Sequence, residues 1–288
     1  MLLEVFQNFL SLAIELTVLF LAISFLISFL QGLIPYENIK KYLSGENTTI
    51  GVIAALVFAF ITPFCSCSTV PIVVNLLNNK VRFGIVMVFL FSSPVLDPTI
   101  ITLMSALLGI KVAVSYTIIT SILSVIIGLT LEKLGYESAV KKVIVTGYKE
   151  MQTKFSFKNA LKETLNLMKS VYPYLLIGAG IGSFIQGYVP TEWISSFFGG
   201  EQWWLVPIAA LIGIPLYIRL STMIPISQIL ITKGMAIAPV MALMISSAGA
   251  SLPEITLLYS IFQRRLIIAF VVSVIVMATL SGFLFYII

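Results

Sequence analysis

From Val5 to Ile34 the chain runs for 30 residues with one charged side chain, Glu15, and no Lys or Arg occurs before Lys40. At 1.5 Å per residue, a helix of that length spans the ~30 Å hydrocarbon layer of a bilayer. No basic segment precedes it, so it reads as a retained transmembrane helix and not as a cleaved signal peptide. Seven further apolar blocks follow, at 50–78, 83–108, 111–131, 166–189, 203–232, 235–263 and 265–288. Only 10% of the residues are charged, against ~25% in a typical soluble domain. The expectation is an all-α integral membrane protein.

The same composition excludes several chemistries. There is no His, so no imidazole serves as base, proton relay or metal ligand. The only two Cys fall in one tripeptide, Cys65-Ser66-Cys67, which rules out a disulfide framework. Glycine loops of the phosphate-cradling type are absent, and the net charge of +5 comes from loop lysines, so no nucleic-acid partner is expected. The sequence calls for no metal and no cofactor. It also has no ATPase motif, so transport would draw on an ion or proton gradient or on a partner.

One polar stretch divides the chain. Between Glu132 and Lys169 lie eight of the 17 basic residues, and by the positive-inside rule this linker is cytoplasmic. The expected organisation is a first membrane repeat at 1–131, a Lys-rich linker at 132–164 and a second repeat at 165–288. Pro35, Glu37, Ile39, Gly45 and Glu46 reappear as Pro190, Glu192, Ile194, Gly200 and Glu201, each 155 residues later. Pro71-Ile72 matches Pro225-Ile226 and Ser92-Ser93 matches Ser246-Ser247, both at an offset of 154.

Charge counting gives the halves an orientation. If blocks 50–78 and 203–232 dip in and return while the others cross, 14 basic residues lie inside and only Lys111 and Lys233 outside. If all eight blocks cross, the count is 11 inside and five outside. The first arrangement is preferred, and its three crossings per half make the repeats inverted. The two arms of block 50–78 are each too short to span. The Pro63–Thr69 segment between them reads as non-helical backbone, which survives at membrane depth only inside protein or beside a water-filled cavity.

Four such breaks stand out: Pro63–Pro71, Ser92–Thr99, Pro215–Pro225 and Ser246–Glu254. Each ends in a capping residue shortly before a Pro, namely Thr69, Asp97, Thr222 and Ser251, which is how a new helix begins. A helix N-terminus favours an anion, and paired broken helices are the pattern of secondary transporters. Asp97, Arg219 and Glu254 fall inside the breaks, where an ionisable group marks a pathway or an ion pair. Arg219 either holds an anionic substrate through its guanidinium fork or neutralises Asp97 or Glu254. Cys65 and Cys67 can chelate a soft, thiophilic centre or exchange with another thiol, or simply pack as small apolar residues.

The string Thr62-Pro63-Phe64-Cys65-Ser66-Cys67-Ser68-Thr69-Val70-Pro71 resembles the signature of the predicted permease family that includes the ArsP-type organoarsenical efflux permeases. Gly213-Ile214-Pro215-Leu216-Tyr217-Ile218-Arg219 and Ser247-Ala248-Gly249-Ala250-Ser251-Leu252-Pro253-Glu254 are similar to the second-half motifs of its YraQ-like branch. The resemblance implies a multi-pass permease of the inner (plasma) membrane. In the arsenical branch the second motif often carries a Cys. Here Ile218-Arg219-Leu220 has none, which weakens a three-thiol metalloid site and favours a positively charged one.

The reading is a transporter rather than an enzyme. A small anionic or thiophilic solute would sit at the repeat interface, against Cys65, Ser66, Cys67, Ser68 and Thr69 on one side and Arg219, Ser221 and Thr222 on the other. Asp97 and Glu254 would couple or gate, and the direction would be export. The partners are a small molecule and the lipid bilayer, and a homo-oligomer is compatible with the sequence. The alternative is a membrane thiol-disulfide oxidoreductase passing electrons through Cys65 and Cys67.

Overall fold

The computed structural model describes residues 48–61, 66–78, 80–141, 203–215 and 235–287, with positions 14, 18, 223, 224, 227, 228 and 231 besides. Blocks 5–34 and 166–189 and the linker beyond Lys141 lie outside the described residues, apart from Ile14 and Val18. The elements are α1 (Thr48–Ile61), α2 (Ser66–Asn78), α3 (Phe83–Ser92), α4 (Pro98–Leu107), α5 (Ile110–Lys133), α6 (Leu205–Gly213), α7 (Ile237–Gly249), α8 (Leu252–Ile261) and α9 (Arg264–Leu284). A 3-10 turn at Tyr136–Ala139 follows α5. Among the described residues the regular structure is helical, apart from an isolated antiparallel bridge between Val140 and Phe262.

Among the described residues, two helices are long and apolar enough to cross a membrane, α5 and α9. The α7–α8 pair, bent by 43° at its break, makes a third span if counted as one. α5 and α9 run antiparallel. Leu131 near the end of α5 shares a core with Leu266, Ile267 and Phe270 at the start of α9. Ala113 and Tyr116 near the start of α5 share a second core with Met277, Ala278 and Phe285. The helices meet midway, where Ser124 Oγ lies 3.8 Å from Met277 Sδ.

Around this pair the packing recurs. α3 lies against α5 and α7 against α9, while α1 packs on α3 and α6 on α7. Helices α3, α4 and α5 begin at 83, 98 and 110, and α7, α8 and α9 at 237, 252 and 264, each 154 residues later. The closest contact recurs as well. A Cβ added to Gly128 would lie 2.7 Å from Val88 N and 3.0 Å from Gly84 O, so only glycine admits α3 this close. A Cβ on Gly282 would lie 2.9 Å from Ala238 O and 3.1 Å from Ala242 Cβ. The three positions in the second contact are those of the first plus 154 (128 to 282, 84 to 238, 88 to 242).

The two ends of the bundle differ in charge. Arg82, Lys133, Lys141, Arg264 and Arg265 gather where α5 ends and α3 and α9 begin. There Arg82 Nε lies 2.7 Å from Glu132 Oε1. Lys141 N donates to Ile261 O at 3.0 Å and Gln263 N to Ala139 O at 2.8 Å. Lys141 also stands 4.8 Å over the Tyr259 ring. The opposite end carries Lys111 and the exposed aromatics Trp203, Trp204 and Tyr286, a composition that suits a membrane–water interface.

α1 and α2 begin and end at the charged end. Arg82 Nη1 donates to Thr48 Oγ1 at the start of α1, and a tight turn (Lys80 N to Leu77 O, 3.1 Å) joins the end of α2 to the start of α3. α1 has 14 residues, about 21 Å at 1.5 Å per residue, which falls short of a ~30 Å layer.

Burial divides the helices into lipid-facing and enclosed. α5 exposes Val114, Ile118, Ile122 and Ile126, and α9 exposes Ile268, Val272, Val276 and Leu280. Each set repeats every four residues, one apolar stripe per helix, and the sets lie 154 apart position by position. α3 by contrast has all ten residues buried. Its apolar sequence reflects enclosure by protein, as in the core of any large helical fold.

Candidate functional site

The described breaks gather short polar side chains inside an otherwise apolar molecule. α3 ends at Ser92, whose Oγ donates to Val88 O at 2.7 Å. Ser93 follows, and its Oγ lies 3.3 Å from Oγ1 of Thr69. Thr69, Ser92 and Ser93 are each fully buried. Thr69 sits in the first turn of α2, so the hydroxyl pair joins the start of one interrupted helix to the end of another.

The segment expected to be non-helical is shorter than the sequence implies. Ser66, Cys67, Ser68 and Thr69 have helical backbone and begin α2, so Pro71 is the sixth residue of that helix and not its first. Cys, Ser and Thr are weak helix formers, and packing overrides so small a preference. Pro71 lies beyond the first turn and has no N–H, so it withholds a bond from the Cys67 carbonyl.

The other two described starts follow their local chemistry. α4 begins at Pro98, and the half-buried Asp97 accepts at its carbonyl from Ile100 N (3.0 Å) and Ile101 N (3.1 Å). α8 begins at Leu252 after Ser251, whose extended backbone (φ −70°, ψ 151°) and carbonyl, accepting from Ile255 N at 2.9 Å, make it the N-cap. Pro253 stands within the first two helical positions. Glu254 occupies the first turn of α8 and is 1% exposed. A carboxylate there is aligned with the positive end of the helix.

Ser246 and Ser247 lie in the last turn of α7, which continues to Gly249, so only Ala250 and Ser251 separate it from α8. The Ser246 and Ser247 hydroxyls donate to Leu243 O (3.2 Å) and Met244 O (3.0 Å). Gly213 at the end of α6 abuts Ser246, and a Cβ there would lie 2.8 Å from Leu243 O.

The structure thus brings Thr69 to Ser93, and it packs α2, which carries Thr69, against α8, which carries Glu254. Cys65, Arg219, Ser221 and Thr222 lie outside the described residues, and Ser66, Cys67 and Ser68 are placed by their backbone alone. No group of three or more Cys, Asp or Glu able to hold a metal occurs among the described residues. Sequence reasoning used Ser93 only as a mark of repetition. Its pairing with Thr69 spans 24 residues and leaves no periodic signal.

The chain also resembles known proteins over nearly its whole length. A UPF0718 protein of Methanocaldococcus jannaschii is 24% identical, with 88% of this chain and 87% of the relative covered. A putative two-component membrane permease complex subunit of Streptococcus mutans is 22% identical, covering 91% and 88%. The UPF0718 protein YraQ of Escherichia coli is 24% identical, covering 83% and 68%. No solved structure matches the chain. The family model described as a predicted permease matches residues 1–287, and the chain therefore belongs to that family, ArsP_1, as a transmembrane protein of transport type.

Proposed function

We propose that the protein is a multi-pass secondary permease of the inner (plasma) membrane, built from two inverted repeats, that exports a small anionic or thiophilic solute. The observation that carries this reading is the Gly128 contact with α3 recurring as the Gly282 contact with α7, on helices α5 and α9 that run in opposite directions. Two like units facing opposite ways present the same site alternately to either side, with the solute near mid-depth where helices are broken. The repeats would be 1–131 and 165–288, joined by the cytoplasmic linker at 132–164.

In this reading the solute lies between Cys65–Thr69 and Arg219–Thr222. The buried Thr69–Ser93 hydroxyl pair closes one flank of the site, and Asp97 and Glu254 couple or gate. The α1–α2 pair, anchored at one end through Arg82 and Thr48, is the re-entrant element of the first half. The name of the Streptococcus mutans relative adds a second component as a candidate partner.

Thermal unfolding of the purified protein against oxyanions, sulfur anions and trivalent arsenicals tests the reading. A ligand at 100 times its Kd stabilises by about 2.7 kcal/mol. A shift with arsenicals that Cys65→Ser or Cys67→Ser removes identifies a thiophilic solute. A shift with anions that Arg219→Ala removes identifies an anionic one. No shift across the panel rejects both solute classes.

A further inference from the structure

The two central helices are alike in shape and unlike in polarity. Along the buried face of α5 stand Tyr116, Thr120 and Ser124, followed by Gly128. At 154 residues further on, the buried face of α9 carries Phe270, Val274 and Ala278, followed by Gly282. Each residue of the first series is the hydroxyl-bearing counterpart of the second: Tyr for Phe, Thr for Val, Ser for Ala. The equivalent frame packs without these oxygens, so packing does not account for them.

Their hydrogen bonds do not account for them either. Thr120 Oγ1 donates to its own helix at Tyr116 O (2.7 Å), which leaves its lone pairs open as acceptors. Ser124 Oγ donates to a thioether at 3.8 Å, a weak acceptor. Tyr116 Oη and Ser281 Oγ, both on fully buried residues, have no hydrogen-bond partner among the described residues. Because α5 and α9 are antiparallel and cross at Ser124 and Met277, one turn back along α5 and one turn on along α9 bring Thr120 and Ser281 to the same level. Two buried oxygens with nothing assigned to them thus border the same seam as the Thr120 and Ser124 hydroxyls.

We propose that the half of the α5–α9 seam nearer Lys111 binds a file of water molecules held by Tyr116, Thr120, Ser124 and Ser281. Side chains four apart on a helix stand about 5–6 Å from each other, roughly twice an O–H···O distance of about 2.8 Å. One water therefore bridges Thr120 and Ser124, whose oxygens are borne on Cβ. The Tyr116 hydroxyl lies a ring's length from its own Cβ and takes a separate water at the end of the file, each water needing two or more polar partners. The file runs from Tyr116 to the crossing point at Ser124, and the second half has no equivalent. This inference stands apart from the permease reading, since it concerns what the seam holds and not what the protein carries.

X-ray radiolytic footprinting of the full chain in detergent tests it, because radicals formed from a bound water oxidise the nearest methionine even when it is buried. Met277 borders the proposed file, and Met87 in the enclosed α3 is the dry reference; both are 0% exposed. Met277 is expected to gain oxygen roughly fivefold faster than Met87. In the variant Tyr116→Phe, Thr120→Val, Ser124→Ala, Ser281→Ala the rate should fall to that of Met87. Three of these substitutions install the residues α9 already carries, and unchanged circular dichroism checks the fold. Equal rates at Met277 and Met87 in the parent chain overturn the proposal, and so does an unchanged Met277 rate in a folded variant. Should the combined variant not fold, Thr120→Val alone is scored against the same two outcomes.

Discussion

Arg82 Nε lies 2.7 Å from Glu132 Oε1, an ion pair that joins the residue preceding α3 to the last turn of α5 across 50 residues of chain. Gly84 makes room for it, since a Cβ there would lie 2.5 Å from Glu132 Oε2. The guanidinium is half exposed (50%) and the carboxylate 18% exposed, so water and salt screen the pair. Glu132→Gln should lower stability by under about 1 kcal/mol. The loss should shrink in high salt, read as the difference in Tm between parent and variant at low and high ionic strength. A loss independent of salt would show that the contact matters for packing and not for charge.

Gly128→Ala and Gly282→Ala should each destabilise by about 1–3 kcal/mol, because the new methyl meets backbone atoms that cannot step aside. Gly249→Ala is the milder control, since its Cβ would first meet a side-chain methyl, Val274 Cγ1, at 3.2 Å. The two large losses should add when combined, as the sites are far apart and share no partner. Denaturation midpoints of the three single variants and the Gly128/Gly282 double variant decide this.

The Thr69–Ser93 pair should show a coupling of about 0.5–1.5 kcal/mol in a double-mutant cycle with Thr69→Val and Ser93→Ala, the range for a net hydrogen bond. Additive losses would mean that the 3.3 Å approach contributes nothing of its own.

The end-to-end charge asymmetry predicts a topology. In a background with Cys65 and Cys67 replaced by Ser, Lys142→Cys and Arg265→Cys should react with an impermeant maleimide only from the inside. Lys111→Cys and Glu192→Cys should react only from the outside. Labelling of Arg265→Cys and Lys111→Cys from the same side would contradict the opposite ends that α5 and α9 give them.

What could be read from the sequence was local. Asp97-Pro98 and Ser251-Leu252-Pro253 mark helix starts because a Pro with fixed φ and a capping residue act within one turn, and α4 and α8 begin there. Pro63–Thr69 reads as non-helical because it separates two apolar arms too short to span, yet Ser66–Thr69 are helical, since contacts with α3 and α8 lie outside any local signal. Glu132 reads as the start of a polar linker, but it and Lys133 belong to α5. Hydropathy follows the edge of the lipid, while the helix continues past it for as long as its hydrogen bonds are made. Pairings such as Thr69 with Ser93, Arg82 with Glu132 and Lys141 with Tyr259 join distant residues of ordinary type, which no spacing rule singles out. The candidate residues Cys65 and Arg219 are legible as chemistry, and their setting lies outside the described residues.

α3 meets protein on every side, and this governs which positions of the chain are free to vary. A helix with a lipid-facing side has a row where any apolar residue serves, as Val114, Ile118, Ile122 and Ile126 do on α5. α3 has no such row, because all ten of its side chains, from Phe83 to Ser92, are fitted against neighbours. In an exhaustive substitution library the two helices, equally apolar to the eye, should separate. The outward row of α5 should accept nearly any greasy residue, and α3 should reject changes of a single methylene at most of its positions.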